Sequence, residues 1–105
     1  MKLDGSWEVV NDSIRRRLVS LGTKLMSMEV EFKAGAIGTM HQHPHEQQTL
    51  IRTGSFRFTI GQNVHILRAG DIVNISGDTP HEAVALEDGV LIDTFTPLRE
   101  DLLER

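Results

Sequence analysis

Cysteine is absent from the 105 residues. Disulfides and thiolate metal sites are therefore excluded, and any metal must be held by nitrogen and oxygen donors. Long apolar runs are missing too: nothing approaches the roughly 20 residues that cross a bilayer as a helix. The opening "MKLDGSWEVVND" has no apolar signal-peptide core, so a cytoplasmic location and no membrane partner are expected. An excess of positive charge is also lacking. The formal net charge of -4 gives nucleic acid no electrostatic reason to bind. Neither repeats of roughly 20 to 50 residues nor low-complexity tracts occur, which removes solenoids and flexible linkers.

What is present is the composition of one globular domain spanning residues 1–105, with 39% apolar and 25% charged residues. Short apolar segments are interrupted every several residues by Gly, Asn or Asp, the rhythm of many strands. Candidate strands cover 7–10, 14–18, 24–32, 49–53, 56–60, 64–67, 72–75, 82–86 and 89–96. In "SFRFTIGQNVHIL" the alternation of Phe56, Phe58 and Ile60 followed by "GQN" predicts a hairpin. "VLIDTF" is apolar on both parities and predicts a strand covered on both faces, by a second sheet and by a partner subunit. Only "PLREDLLER" reads as helical, as a short turn after Pro97. The expected fold class is all-β, a sandwich or closed barrel.

Three of the five histidines fall within "HQHPH". On an extended strand His41 and His43 point to the same face. Gln47 shares their parity, but Pro44 breaks the strand between them, so parity alone does not bring it to the site. His81, at the start of a strand after a turn-rich stretch, is the distant third imidazole. His45 and His65 read as surface or structural histidines. Glu46 competes with Gln47 as a ligand, and a solvated loop carboxylate is the plainer reading of it. Asp93, inside "VLIDTF", must find a partner or shift its pKa, which makes it a functional candidate by burial alone. The alternative for Asp93 is a structural role on backbone amides. The run Arg15, Arg16, Arg17 alternates across a strand and reads as a solvated or dimer-edge face. Met26, Met28 and Met40 read as core filler, and Trp7 as a packing residue.

These residues resemble a known family. "G-x5-H-x-H-x3-Q-x6-G" (Gly35, His41, His43, Gln47, Gly54) is similar to the first cupin motif, with Gln where Glu is usual. "GDIVNISGDTPH" is similar to the second: Gly70, Asp71, Pro80 and His81 match, while Ser76 and Asp78 stand where Pro and Gly are usual. The resemblance implies a double-stranded β-helix jelly roll. A narrower likeness, carried by "HPHEQ" and "GVLIDTFTPLRED", is to the KdgF group of uronate-processing cupins. It implies one divalent metal (Ni, Zn, Mn or Fe) on His41, His43, Gln47 and His81, with Asp93, Phe95 and Arg99 as a second functional cluster. It further implies ring opening of 4,5-unsaturated monouronates from pectin or alginate to the 5-keto-4-deoxy form. The substrate is then a small anionic sugar, with Arg99 gripping its carboxylate and Phe95 against the ring. A C2 homodimer is expected for such a barrel. The rivals are a non-catalytic small-acid-binding cupin and a three-histidine iron oxygenase.

Overall fold

Alternating apolar segments become ten strands in the computed structural model, which describes residues 1–105. They are β1 Glu8–Asn11, β2 Ile14–Leu21, β3 Met26–Phe32, β4 Ile37–His41, β5 Glu46–Thr53, β6 Ser55–Ile60, β7 Asn63–Arg68, β8 Ile72–Ile75, β9 His81–Ala85 and β10 Gly89–Thr96. Two antiparallel sheets result. The larger runs β1-β2-β3-β10-β5-β8 and the smaller β4-β9-β6-β7. Side-chain parity sorts each strand into an inner and an outer face. Phe56 and Phe58 of β6 meet Met26, Met28, Val30 and Phe32 of β3 and Leu91 and Phe95 of β10 in one apolar core.

The predicted hairpin is present: β6 and β7 pair from Ser55↔Arg68 to Ile60↔Asn63 around Gly61 and Gln62. The helical expectation at the end shrinks to a 3-10 turn, Glu100–Leu102. Strand β4 was not among the candidate segments, because "IGTMH" has little apolar alternation and is mostly exposed. On β10, Gly89, Leu91, Asp93 and Phe95 are buried while the alternate residues are half-buried, so the strand has one enclosed face and one partly open face. Met26 and Met28 are core residues as expected, whereas Met40 is 47% exposed and fills nothing.

Two local devices set the site. In β4 the register slips between Gly38↔Ala83 and His41↔His81, so an extra residue on β4 turns His41 to the inner face. In the turn before β9, Asp78 has φ 61°, the left-handed region that favours Gly but that Asp tolerates. The departure from the second cupin motif therefore keeps the turn. Beside it a Cβ on Gly77 would meet the Pro44 carbonyl oxygen at 2.4 Å, and the Asp78 N–H donates to the His43 carbonyl at 2.7 Å. The turn thus clasps the histidine segment.

Candidate metal centre

His41 ends β4, His43 lies on the segment after it, and His81 opens β9 directly across from His41. The expectation of two imidazoles on one strand holds in effect though β4 stops at His41: their ring centroids are 5.7 Å apart. One nitrogen from each of the three histidines lies within 4.8 Å of the others. Gln47 arrives from the opposite sheet. Pro44 does interrupt the chain, and β5 restarts at Glu46 with Gln47 buried on its inner face. Glu46 points the other way, exposed and bonded by the Asn74 amide at 3.1 Å.

The hydrogen bonds fix which nitrogens are free. Nδ1 of His41 faces the Thr39 carbonyl at 2.8 Å and Nδ1 of His81 faces that of Thr79 at 2.8 Å. Each Nδ1 must carry the proton, leaving the Nε2 electron pair unused. His81 Nε2 is buried with no partner at all. His43 is more telling, because both its nitrogens face carbonyl oxygens, His45 O at 3.1 Å and Gln47 Oε1 at 3.0 Å. A neutral imidazole has one N–H for two acceptors. Burial, then the Arg99 charge, pushes the His43 pKa down, and burial does the same for His81, so both rings favour the neutral form. An electron pair must then face an electron pair, which is costly unless a cation lies between them. These donors fit a metal ion.

Gln47 is held in that orientation from behind. Its amide nitrogen donates to Thr49 Oγ1 at 3.0 Å and to Asp93 Oδ1 at 3.1 Å, so Oε1 faces the histidines. The Thr49 hydroxyl donates to the same Asp93 oxygen at 2.5 Å. Asp93 lies on β10 opposite Thr49, and burial raises its pKa to about 6 against the pull of those two donors. Phe95, two residues on, meets His43 edge-on at 5.6 Å and carries the Arg99 guanidinium at 5.1 Å from its ring centre. Arg99 is itself buried, with Nε and Nη2 on the two Asp101 oxygens at 3.0 and 2.8 Å. Three of its five N–H groups remain, two at Nη1 and one at Nη2, forming a second two-donor edge.

His41, Gln47, His81, Asp93 and Arg99 all line one cavity of about 330 Å³. A larger groove of about 460 Å³ between Asn11, Lys33 and Asp88 contains no histidine and none of these buried polar groups. The sequence reading missed three residues here. Thr49 and Asp101 carry no motif, and their parity (Thr49) and proximity (Asp101) to named residues were the available signals. Arg16, read as part of a solvated or dimer-edge face, instead lines the cavity. His65 is exposed as expected, and His45 is structural in that its Nε2 meets the Leu98 carbonyl at 3.2 Å.

Residues 28–95 match the cupin domain family. The pectin degradation protein KdgF of Dickeya dadantii (strain 3937) is 41% identical over 99 residues, covering 92% of this chain and 90% of that protein. The structure of KdgF from a Halomonas species superposes with a TM-score of 0.90 at 37% identity, over 95% of this chain and 93% of the other. An RmlC-like cupin from Shewanella frigidimarina NCIMB 400 follows with a TM-score of 0.88 at 32% identity, over 92% and 87%. With its jelly-roll sheets and inward histidines, this chain belongs to the cupin family and, within it, to the relatives of the pectin degradation protein KdgF.

Proposed function

We propose that this chain, acting as a single cupin domain, opens the ring of 4,5-unsaturated monouronates derived from pectin or alginate and releases the linear 5-keto-4-deoxyuronate. The likeness to KdgF supplies the substrate class. The observation that carries the chemistry is a buried carboxylate, Asp93, joined through the Gln47 amide to a cluster of inward electron-pair donors. His41, His43 and His81 through Nε2 and Gln47 through Oε1 would hold one divalent transition metal, Ni, Zn, Mn or Fe. When bound it supplies a full 2+ charge that stabilises negative charge on sugar oxygens.

In the ring-opened product the anomeric carbon becomes an aldehyde and C5 a ketone. The O1 proton must leave as the C1–O5 bond breaks, and C4 must gain a proton as the enol becomes a ketone, so the step is an isomerisation with no proton gained or lost overall. Asp93 accepts the first proton and returns it at C4, a role suited to a carboxyl that burial has moved toward neutral pH. Thr49 and Gln47 hold that carboxyl in place. Arg99 offers its free edge to the substrate carboxylate, and Phe95 backs Arg99 and borders the sugar. The same reading includes a homodimer in the cytoplasm. The support for the dimer is an apolar row, Ile92–Leu50–Ile72, on the outer face of the large sheet, with Ile72 64% exposed.

A proton NMR time course of an unsaturated uronate with metal-loaded enzyme tests the activity. Ring opening well above the spontaneous rate is expected, and a rate equal to that control would refute it.

A further inference from the structure

Arg16 is the one charged side chain on the inner face of β2, between the buried Ile14 and Leu18 and beside a β3 face that is wholly apolar. Its strand partner on β3 is Val30, and Val30 in turn pairs with Leu91 of β10. Asp93 thus stands two strands across and one inward row along from Arg16, roughly 12 Å between Cα atoms at ordinary strand spacings. The Arg16 guanidinium turns toward Glu8 on β1, on the side of β2 away from β10. Arg16 and Arg99 both line the cavity that His41 and His81 face.

The two arginines are also set up alike. Arg16 directs Nε and Nη2 to a single Glu8 oxygen at 2.8 and 2.7 Å, as Arg99 directs the same two nitrogens to Asp101. In each, a carboxylate fixes the guanidinium plane and leaves the Nη1 side uncommitted. A guanidinium so fixed loses little freedom on binding a second carboxylate.

We propose that Arg16 is a second substrate-binding arginine, which with Arg99 holds the carboxylate of a sugar acid between two guanidinium groups. This rests on the uronate reading above for the identity of the ligand. It makes the cavity selective for sugar acids over neutral sugars, and Glu8 acts as the positioning residue of Arg16.

The test uses the metal-loaded enzyme and two readouts. In turnover of an unsaturated uronate, Arg16→Met should raise KM about 10- to 100-fold, the effect of one lost charge-assisted hydrogen bond, with kcat near wild type. Arg16→Lys keeps a cation on Glu8 and hence the fold, but lacks the second two-donor edge, so it should recover KM poorly. Glu8→Gln keeps the guanidinium and its charge but loosens its positioning, and should raise KM by clearly less than Arg16→Met does. If Glu8→Gln reproduced Arg16→Met in KM, or if both arginine variants kept wild-type KM, Arg16 would be a strand tie and the proposal overturned. The second readout is binding of D-glucuronate against methyl glucoside by calorimetry. Wild type should prefer the acid and Arg16→Lys should lose most of that preference. An absent preference in wild type, or an intact one in Arg16→Lys, overturns the proposal. Because binding needs no turnover, a wild-type enzyme that prefers the acid yet fails to open the ring would count against the function and not against Arg16.

Discussion

The large sheet carries a buried carboxylate on each face, and the two are treated in opposite ways. On the outside Glu29 is 5% exposed and lies between Arg17 Nε at 2.8 Å and Arg52 Nη1 at 2.6 Å. Trp7 covers the row, with the Arg15 and Arg17 guanidinium groups 4.1 and 4.8 Å from its ring centre. Every charge there has an opposite. On the inside Asp93 has no facing cation in contact, only the Thr49 and Gln47 donors, and the group beyond Gln47 is a set of electron pairs pointing at one another. A satisfied buried ion cluster adds rigidity and little else. An unsatisfied one persists only where a ligand completes it, and that difference separates the site from the scaffold.

Replacing Asp93 by Asn breaks the comparison hardest, because the inner carboxylate should act on rate and stability in opposite senses. In the metal-loaded enzyme kcat for the uronate should fall on the order of 10²-fold or more with KM nearly unchanged, as for a group that moves protons in the transition state. In the metal-free protein the sign is reversed. The folded-state pKa is raised from 3.8 to about 6, so ionising Asp93 opposes folding progressively as pH climbs through that window and fully above it. Asp93→Asn should then be the more stable protein at pH 7.5 by roughly 3 kcal/mol and nearly equal to wild type near pH 4, read from urea unfolding at both values. Equal kcat, or an equal stability difference at the two pH values, contradicts this role.

Arg99→Ala sharpens the contrast next. It should raise KM about 10- to 100-fold by removing the free guanidinium edge, with a smaller change in kcat. Steady-state kinetics at verified metal content decide it, and unchanged constants would return Arg99 to a structural partner of Asp101.

Outside, Glu29→Gln should cost about 1 to 2 kcal/mol of unfolding free energy, less than a fully enclosed pair because Arg17 and Arg52 are 42% and 61% exposed. Activity should not move. A large loss of kcat in this variant would mean that the two faces are coupled.

The smallest effect is expected from Gln47→Glu, which restores the usual cupin ligand. Metal affinity should hold or rise, while KM for an anionic substrate should rise a few-fold as part of the 2+ charge is neutralised. Wild-type KM at full metal loading would remove charge from the explanation of substrate binding.

Much of this was legible beforehand, for reasons that differ by residue. Strand β6 announced itself by a regular two-residue alternation with one buried face, and β10 by an apolar run on both parities. β4 did not, since its residues are mostly exposed and a bulge interrupts its pairing before His41. The bulge itself has no sequence mark. Gln47 could be reached through motif likeness but not through parity, because it comes from a different sheet than the histidines. Arg16 was misread because two of the three consecutive arginines do face outward, and alternation alone cannot say that the inward one opens onto a cavity. The left-handed turn at Asp78 survives the loss of Gly because aspartate tolerates that conformation.

The metal centre is tested most directly by elemental analysis of the purified protein beside activity before chelation, after chelation, and after returning single divalent ions. The facing Nε2 and Oε1 donors of His41, His43, His81 and Gln47 predict one transition metal per chain, loss of ring opening on its removal, and recovery on its return. In His81→Ala the ion should be missing while the β-barrel stays folded. Full activity in a protein shown to hold no metal, or undiminished metal content in His81→Ala, would contradict the assignment.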